Sequence, residues 1–378
     1  MVHLGRDPDA NFGFVNPPVF RGSTVLFPTL AALKSRTQPY TYGRRGTPTT
    51  TALCDALTAL DGAACCLLTC SGLQAVAAAL LAFVEMGDDI LMVDTVYQPT
   101  RKFCDTTLKA MGITTRYYDP LIGAGIGELI GARTRLVFTE SPGSQTFEMQ
   151  DIPAIASEAH AKGAWVLMDN TWATPLLLRP LDHGVDVSIQ AGTKYIVGHA
   201  DAMLGVVTGN ARAAPHLDRI KEAMGLCAGS EETFLAARGL RTLDVRMARH
   251  HQSGIEIARW LEARAEVARV MHPALPSHPG HDIWRRDFKG ASGLFAFTLK
   301  AVPEAALAAF VDHLELFGMG FSWGGYESLI LPFDPRSYRT ATAWREPGPA
   351  LRIHIGLEAV DDLKRDLDAG FDRLRQAM

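Results

Sequence analysis

Apolar residues follow two different patterns along the chain. Residues 72–86, GLQAVAAALLAFVEM, are apolar almost all round, which predicts a buried helix with Ser71 as its N-cap and Gly87 just beyond its end. Short β-rich runs, separated by helix-like segments, lie at 90–94, 113–118, 135–139, 165–169, 186–190 and 203–208. Because these runs are apolar on both faces and joined by crossovers, they predict a mostly parallel sheet covered by helices on two sides.

Changes in this pattern divide the chain into three predicted parts. Residues 1–48 are rich in proline and lack helical periodicity, so we expect an extended arm that packs on another lobe or another subunit. Residues 49–240 carry the alternating α/β pattern. Residues 241–378 mix long helical stretches with strand-like runs, which predicts a smaller C-terminal α+β lobe. We expect the arginines of its first helix, Arg241, Arg246 and Arg249, to form a solvated or subunit-facing stripe.

Composition excludes several classes of protein. The chain has 378 residues, 47% of them apolar, and a formal net charge of −4, so a disordered protein is excluded and nucleic acid is not an expected partner. No apolar run reaches the ~20 residues of a membrane span, and the first ten residues lack the apolar core of a secretory signal. The six cysteines lack the spacing of a disulfide framework or a zinc site, so we expect reduced, buried thiols, no metal and a cytoplasmic location.

Polar residues with distinct chemistry follow the ends of the predicted strands. Tyr97 follows 90–94, Asp169 closes 165–169, and Lys194 comes shortly after 186–190. Ligands of open parallel sheets bind outside the carboxyl ends of the strands, so these side chains are expected to converge. Each of these residues taken alone has an ordinary structural explanation. Asp169 could cap a turn, Lys194 could be a surface lysine, and Tyr97 could be a packing residue.

Together, these residues match the needs of pyridoxal 5′-phosphate (PLP). This cofactor requires a lysine for an imine bond, a carboxylate beside its pyridine nitrogen, an aromatic face and a helix start for its phosphate. The helix that begins near Gly72 provides such a start. The chemistry of these residues alone does not decide whether the predicted site binds PLP or a different ligand.

Motifs over nearly the whole chain resemble the bacterial cystathionine β-lyases, a group within the Cys/Met-metabolism family of PLP-dependent enzymes. The matching stretches include YGRRGTPT (42–49), ESPGS (140–144), DNTWAT (169–174), VDVSIQAGTKYIVGHADAM (185–203), SWGGYESL (322–329) and LRIHIGLE (351–358). The resemblance implies the type I fold of PLP-dependent transferases, similar to aspartate aminotransferase. It also implies a homo-oligomer, built as a dimer of dimers, with active sites shared between subunits.

The resemblance further implies a role for individual residues. Lys194 would bind PLP covalently and act as the catalytic acid and base, with Tyr97 stacked on the cofactor ring. The other cofactor contacts would be Asp169 at the pyridine nitrogen, Asn170 near the phenolic oxygen, Gly72, Leu73 and Thr193 at the phosphate, and Tyr42 and Arg44 reaching the phosphate from a neighbouring subunit. Arg352 would bind the substrate carboxylate, with Ser322 and Trp323 on the same wall.

The implied activity is β-elimination of L-cystathionine, a thioether amino acid, to homocysteine, pyruvate and ammonia in methionine biosynthesis. Sister enzymes remain as alternatives: cystathionine γ-lyase or γ-synthase, methionine γ-lyase, or a broad cysteine-S-conjugate β-lyase. A non-catalytic binding protein of the same fold is a third alternative. Trp323 favours β-elimination, because γ-acting relatives usually carry a smaller aliphatic residue there. Ala191 and Phe321 depart from the group's pattern, where serine and tyrosine are usual.

Overall fold

Two β-sheets organise the chain, and the computed structural model describes all residues from 1 to 378. The first sheet contains β1 (Cys65–Thr69), β2 (Asp89–Val93), β3 (Thr114–Tyr118), β4 (Thr134–Glu140), β5 (Trp165–Asp169), β6 (Val187–Ala191) and β7 (Gly205–Gly209). Its order is β1-β7-β6-β5-β4-β2-β3, and only β7 runs antiparallel to its neighbours. This is the mostly parallel sheet that the sequence predicts.

The second sheet lies in the C-terminal part of the chain. It contains β8 (Val267–Met271), β9 (Leu294–Leu299), β10 (Phe317–Gly318), β11 (Ser328–Phe333) and β12 (Ala350–His354), in the order β10-β11-β12-β9-β8. Only the β10–β11 pair is parallel. β12 is central in this sheet, so the residues that it carries are held by strands on both sides.

Helices surround both sheets. They are α1 (Leu30–Ser35), α2 (Pro48–Asp61), α3 (Gly72–Leu81), α4 (Gln98–Phe103), α5 (Ile126–Leu129), α6 (Ile152–Ala161), α7 (Thr174–Leu177), α8 (Ala214–Met224), α9 (Ser230–Leu240), α10 (Leu243–Glu262), α11 (His281–Asp287), α12 (Glu304–Val311) and α13 (Val360–Gln376). None of them combines the length and the apolar character that a membrane crossing requires.

The predicted helix at 72–86 is real but shorter than expected. The Ser71 side chain accepts the N–H of Gln74, which confirms the predicted N-cap. The helix stops at Leu81, five residues early, although the chain stays apolar. Phe83 leaves the helix and packs on Trp165 at a centroid distance of 4.7 Å, so the apolar pattern continues through a buried loop. Gly87 has a φ of +95° but lies in the turn before β2 and not at the helix end.

Buried apolar side chains form two clusters, one of 64 residues centred on the first sheet and one of 21 on the second. The arm contributes little to either. Its helix α1 has no buried residue, and Phe12 and Leu26 are exposed. An apolar segment without a core of its own suits a docking role. The domain boundaries at residues 48 and 240 stay predictions.

Two expectations about surface and core are wrong. The arginines expected in a stripe are not all solvated, because Arg246 is buried and donates to the carbonyls of Tyr195 and Gly239. Arg241 and Arg249 likewise donate to backbone carbonyls of distant segments. The cysteines are free but not uniformly buried: Cys104 is buried, whereas Cys70 and Cys227 are exposed.

Candidate active site

Lys194 lies in the turn that follows β6, and its ammonium group contacts the loop between β10 and β11. The backbone N–H of Lys194 donates to Ala191, which closes the turn, and Nζ donates to Ser322 Oγ at 2.6 Å. Burial lowers the pKa of Lys194 to about 8, helped by the positive charge of Arg352 and opposed by Asp169. About a tenth of this amine is therefore unprotonated at pH 7, far more than for a lysine with the ordinary pKa.

Asp169 ends β5 and is fixed by Thr171. The Thr171 N–H donates to Asp169 Oδ1 at 2.9 Å, and the Thr171 hydroxyl donates to the same oxygen. That hydroxyl also accepts the N–H of Ala191 at 2.9 Å, which links β5 to the turn carrying Lys194. Burial raises the pKa of Asp169, while the two bonds from Thr171 and the charge of Lys194 oppose the rise. Oδ2 accepts no bond within the chain.

Tyr97 precedes α4, and its backbone is held by a carboxyl group that the sequence analysis did not single out. The Tyr97 N–H donates to Glu140 Oε2 at 2.8 Å, and Glu140 faces Asp169 in the parallel pairing of β4 with β5. Burial, with the negative charges of Asp169 and Glu140, raises the pKa of the Tyr97 phenol, so the phenol stays protonated. In the sequence, the one feature that could have indicated this role is the position of Glu140 directly after the predicted strand 135–139.

The start of α3 lies against the end of β6. A Cβ at Gly72 would come within 2.5 Å of the Ala191 Cβ, so only glycine permits this approach. The first N–H groups of a helix have no partner in the helix, so those of Gly72 and Leu73 are free to bind an anion. The Thr193 hydroxyl accepts the N–H of Leu204 at 2.9 Å.

The opposite wall comes from the C-terminal part of the chain. Ser322, with a φ of +80°, accepts the bond from Lys194, and the Trp323 ring centroid lies 5.3 Å from Lys194 Nζ. Arg352, on β12, donates to the carbonyl of Ser322 at 3.1 Å and to that of Gly320 at 3.4 Å. Thr193, Ser322 and Trp323 together line a cleft of about 850 Å³.

Three predicted residues lie elsewhere. Tyr42 and Arg44 line a second concavity of about 390 Å³, which shares Gly229 with the cleft of Ser322 and Trp323. Asn170 is only 1% exposed, and its Nδ2 donates to the carbonyl of Leu178 at 2.9 Å. Its Oδ1 has no partner within the chain. The expected contact of Asn170 with a cofactor oxygen stays a prediction.

The residues that do converge fit PLP. Lys194 has an amine with a lowered pKa, Asp169 has a free Oδ2 for a cationic ring nitrogen, and α3 offers unpaired N–H groups for a phosphate. The individual roles of these residues stay predictions.

Comparison with known proteins agrees with this chemistry. A family model described as Cys/Met metabolism PLP-dependent enzyme matches residues 1–372, which confirms the predicted cofactor. A protein of Rhizobium johnstonii named putative cystathionine β-lyase is 54% identical over 98% of this chain and 94% of its own length. Cystathionine β-lyase MetC of Escherichia coli is 45% identical over 99% of this chain and 98% of its own length.

The fold comparison gives the same result. Cystathionine γ-synthase of Xanthomonas oryzae pv. oryzae, solved in complex with cystathionine, superposes with a TM-score of 0.91 at 32% identity, covering 100% of this chain and 98% of the other. The predicted type I fold is thereby confirmed. With a family match over 372 residues and relatives at 45–54% identity, the chain belongs to the Cys/Met-metabolism family of PLP-dependent enzymes.

Proposed function

We propose that this protein is a carbon–sulfur lyase that converts L-cystathionine and water to homocysteine, pyruvate and ammonia. One observation carries the proposal: Lys194 Nζ lies 2.6 Å from Ser322 Oγ and 5.3 Å from the Trp323 ring centroid. Arg352 in turn donates to the Ser322 carbonyl. A base, an aromatic ring and a carboxylate receptor thus lie close together beside the cleft. Relatives of 45–54% identity carry the name cystathionine β-lyase.

Each group has a part in the reaction that follows from its environment. Only Nη2 of Arg352 contacts the turn at Ser322, so the N–H groups of the adjacent Nη1 remain to bind the substrate carboxylate. Lys194, with a pKa of about 8, takes the proton from the substrate Cα. PLP, when bound, withdraws electrons from that carbon. Asp169 holds the negative charge that a protonated ring nitrogen requires.

Trp323 supports β-elimination over the γ-acting alternatives. Its ring packs on Tyr195 at 5.4 Å and leaves a rigid, bulky face beside Lys194. The test is an assay of purified enzyme with L-cystathionine. We expect pyruvate and homocysteine. Release of 2-oxobutyrate and cysteine would contradict the proposal, and a protein that neither binds PLP nor shows its absorbance band would be non-catalytic.

A second candidate is a broad cysteine-S-conjugate β-lyase, which the cleft mouth favours. Phe321 is 87% exposed and Met203 60% exposed, and both line the cleft. These two side chains suit thioethers with apolar S-substituents, although Asp201, Glu232 and Glu327 also line the cleft. A panel of cystathionine, cystine and S-alkyl cysteines distinguishes the two, because the first candidate requires the highest kcat/KM for cystathionine, and Phe321→Tyr should shift the ranking towards it.

The active site is proposed to be shared between subunits of a homo-oligomer that is a dimer of dimers. The arm is poorly buried within one chain, and its Tyr42 and Arg44 line a concavity different from the one that Ser322 and Trp323 line. Mixing inactive Arg44→Ala subunits with inactive Lys194→Ala subunits should restore part of the activity. If exchanged hybrids recover none, each chain has its own complete site. Light scattering of the wild type gives the subunit number, for which four is expected.

A cytoplasmic location is proposed from the six free thiols, which suit a reducing compartment. Cell fractionation with antibody detection tests it, and recovery from a membrane or exported fraction would contradict it.

A further inference from the structure

The turn that carries Ser322 is strained. Ser322 has a φ of +80° and Gly324 a φ of +84°, and serine adopts the left-handed region only when its surroundings hold it there. Gly324 also packs directly on the Lys194 backbone, because a Cβ at this glycine would lie 3.0 Å from the Lys194 carbonyl carbon. The turn therefore needs an anchor that fixes it against Lys194.

β12 provides that anchor through two side chains on one face of the strand. Arg352 donates to the carbonyls of Gly320 and Ser322. Two residues further on, His354 Nε2 accepts the N–H of Gly324 at 3.1 Å. The turn is thus held on both sides of Ser322. Arg352 is also proposed to bind substrate, whereas His354 has no proposed contact with it.

His354 is suited to a constant contact with the turn. It is 0% exposed, and burial, together with the charges of His250, Arg352 and Lys194, keeps its pKa well below the usual range, so the ring stays neutral at any working pH. In one neutral tautomer Nε2 accepts the Gly324 N–H at 3.1 Å, and in the other Nε2 donates to the Gly325 carbonyl at 3.3 Å, so either form holds the same turn.

We propose that His354 is a positioning residue: by binding the Gly324 N–H, it holds the strained turn so that Ser322 Oγ meets Lys194 Nζ. The inference deepens the proposed function, since it concerns the proposed base of that reaction. It does not depend on which thioether is cleaved.

The experiment compares full-length variants that differ in the acceptor at position 354. His354→Leu removes the acceptor, and His354→Gln keeps an oxygen near the place of Nε2. The matched control is His272→Leu, because His272 is also 0% exposed and its Nδ1 also accepts a backbone N–H, that of Ala274, at 3.1 Å. We expect His354→Leu to lower kcat about tenfold with a smaller change in KM, and His354→Gln to restore most of it.

Two further readouts separate positioning from a general loss of structure. Adding Ser322→Ala to His354→Leu should lower kcat no further, because both changes remove the same contact. In the full-length protein stripped of PLP, the pKa of Lys194, measured by its pH-dependent labelling, should fall from about 8 to about 7 in His354→Leu and stay unchanged in His272→Leu. Asp169 and Arg352, the charged groups that face Lys194, are unaltered in all these variants.

The proposal would be overturned if the losses in kcat from His354→Leu and Ser322→Ala multiplied in the double variant. It would also be overturned if the Lys194 pKa were unchanged in His354→Leu. Should thermal unfolding show that His354→Leu does not fold, His354→Asn replaces it, because its shorter side chain cannot reach the Gly324 N–H. Equal behaviour of the Asn and Gln variants would then refute the role. If the wild type failed to cleave cystathionine but His354→Leu showed the expected fall in the Lys194 pKa, only the proposed function would be refuted.

Discussion

The two walls of the cleft are built in different ways. The cofactor wall consists of residues at the ends of parallel strands, where Asp169 and the turn of Lys194 are joined by one threonine. The substrate wall consists of a turn with two positive φ angles that β12 holds from behind. The charged groups of the cofactor wall lie at strand ends within one sheet. The substrate wall depends instead on contacts between a loop and a strand. The proposed chemistry is thus concentrated at the strand ends, and positioning depends on the strained turn.

The largest expected effect comes from removing the base on the cofactor wall. Lys194→Ala should lower kcat by about 10⁴-fold or more, because it deletes the group that moves the Cα proton and binds PLP. Steady-state pyruvate release measures it, with the exposed Lys300→Ala as control. If Lys194→Ala kept a kcat within tenfold of the wild type, the group that moves the Cα proton would have to lie on the substrate wall.

Asp169→Asn should come next, with kcat lower by about 10²–10³-fold and little change in KM. The substitution keeps the shape of the side chain but removes the charge that a cationic ring nitrogen requires. Asp151→Asn, in an ion pair with Arg286 outside the cleft, is the control. An effect confined to KM would place Asp169 in substrate binding.

Arg352→Lys tests the substrate wall. Lysine cannot bind a carboxylate with two parallel bonds, so KM for cystathionine should rise by about 10–100-fold, with a smaller loss in kcat. Arg269→Lys, on β8, serves as the control. If kcat fell instead while KM held, Arg352 would act mainly by holding the turn.

Ser322→Ala and Ser322→Gly separate the strain of the turn from its hydroxyl. Both remove the partner of Lys194 and should lower kcat about tenfold. Glycine also relieves the positive φ, so the free energy of unfolding of Ser322→Gly should exceed that of Ser322→Ala by about 1 kcal/mol. Urea unfolding measures the difference, and equal stability would show that the turn is not strained.

The smallest effect concerns pH. In the PLP-free protein, Lys194 has a pKa of about 8 instead of 10.5, so between these values the unfolded chain holds a proton that the folded chain has lost. Stability therefore rises with pH across this window. Relative to Lys194→Met, the wild type should gain about 1 kcal/mol between pH 7.5 and pH 9.5 in urea unfolding. A flat difference would show that the amine is not buried.

Much of the cofactor wall could be read from the sequence. The β-rich runs locate strand ends, and residues just beyond the ends of parallel strands share one edge of a sheet. This reasoning placed Tyr97, Asp169 and Lys194 together. Glu140 satisfied the same criterion and was missed, because its neighbour Asp169 becomes apparent only once β4 and β5 are paired. The cofactor contact expected for Asn170 stays a prediction, because only its Nδ2 has a partner within the chain.

By itself, the sequence determined the α/β pattern, the cofactor chemistry and the family, because local periodicity and residue type are encoded position by position. The tertiary structure decided which segments meet. Ser322 accepts a bond from a lysine 128 residues away, and His354 holds Gly324 from a different strand. Such contacts depend on how the two sheets dock, which periodicity along the chain does not contain. The left-handed backbone of Ser322 likewise exists only because surrounding segments hold it.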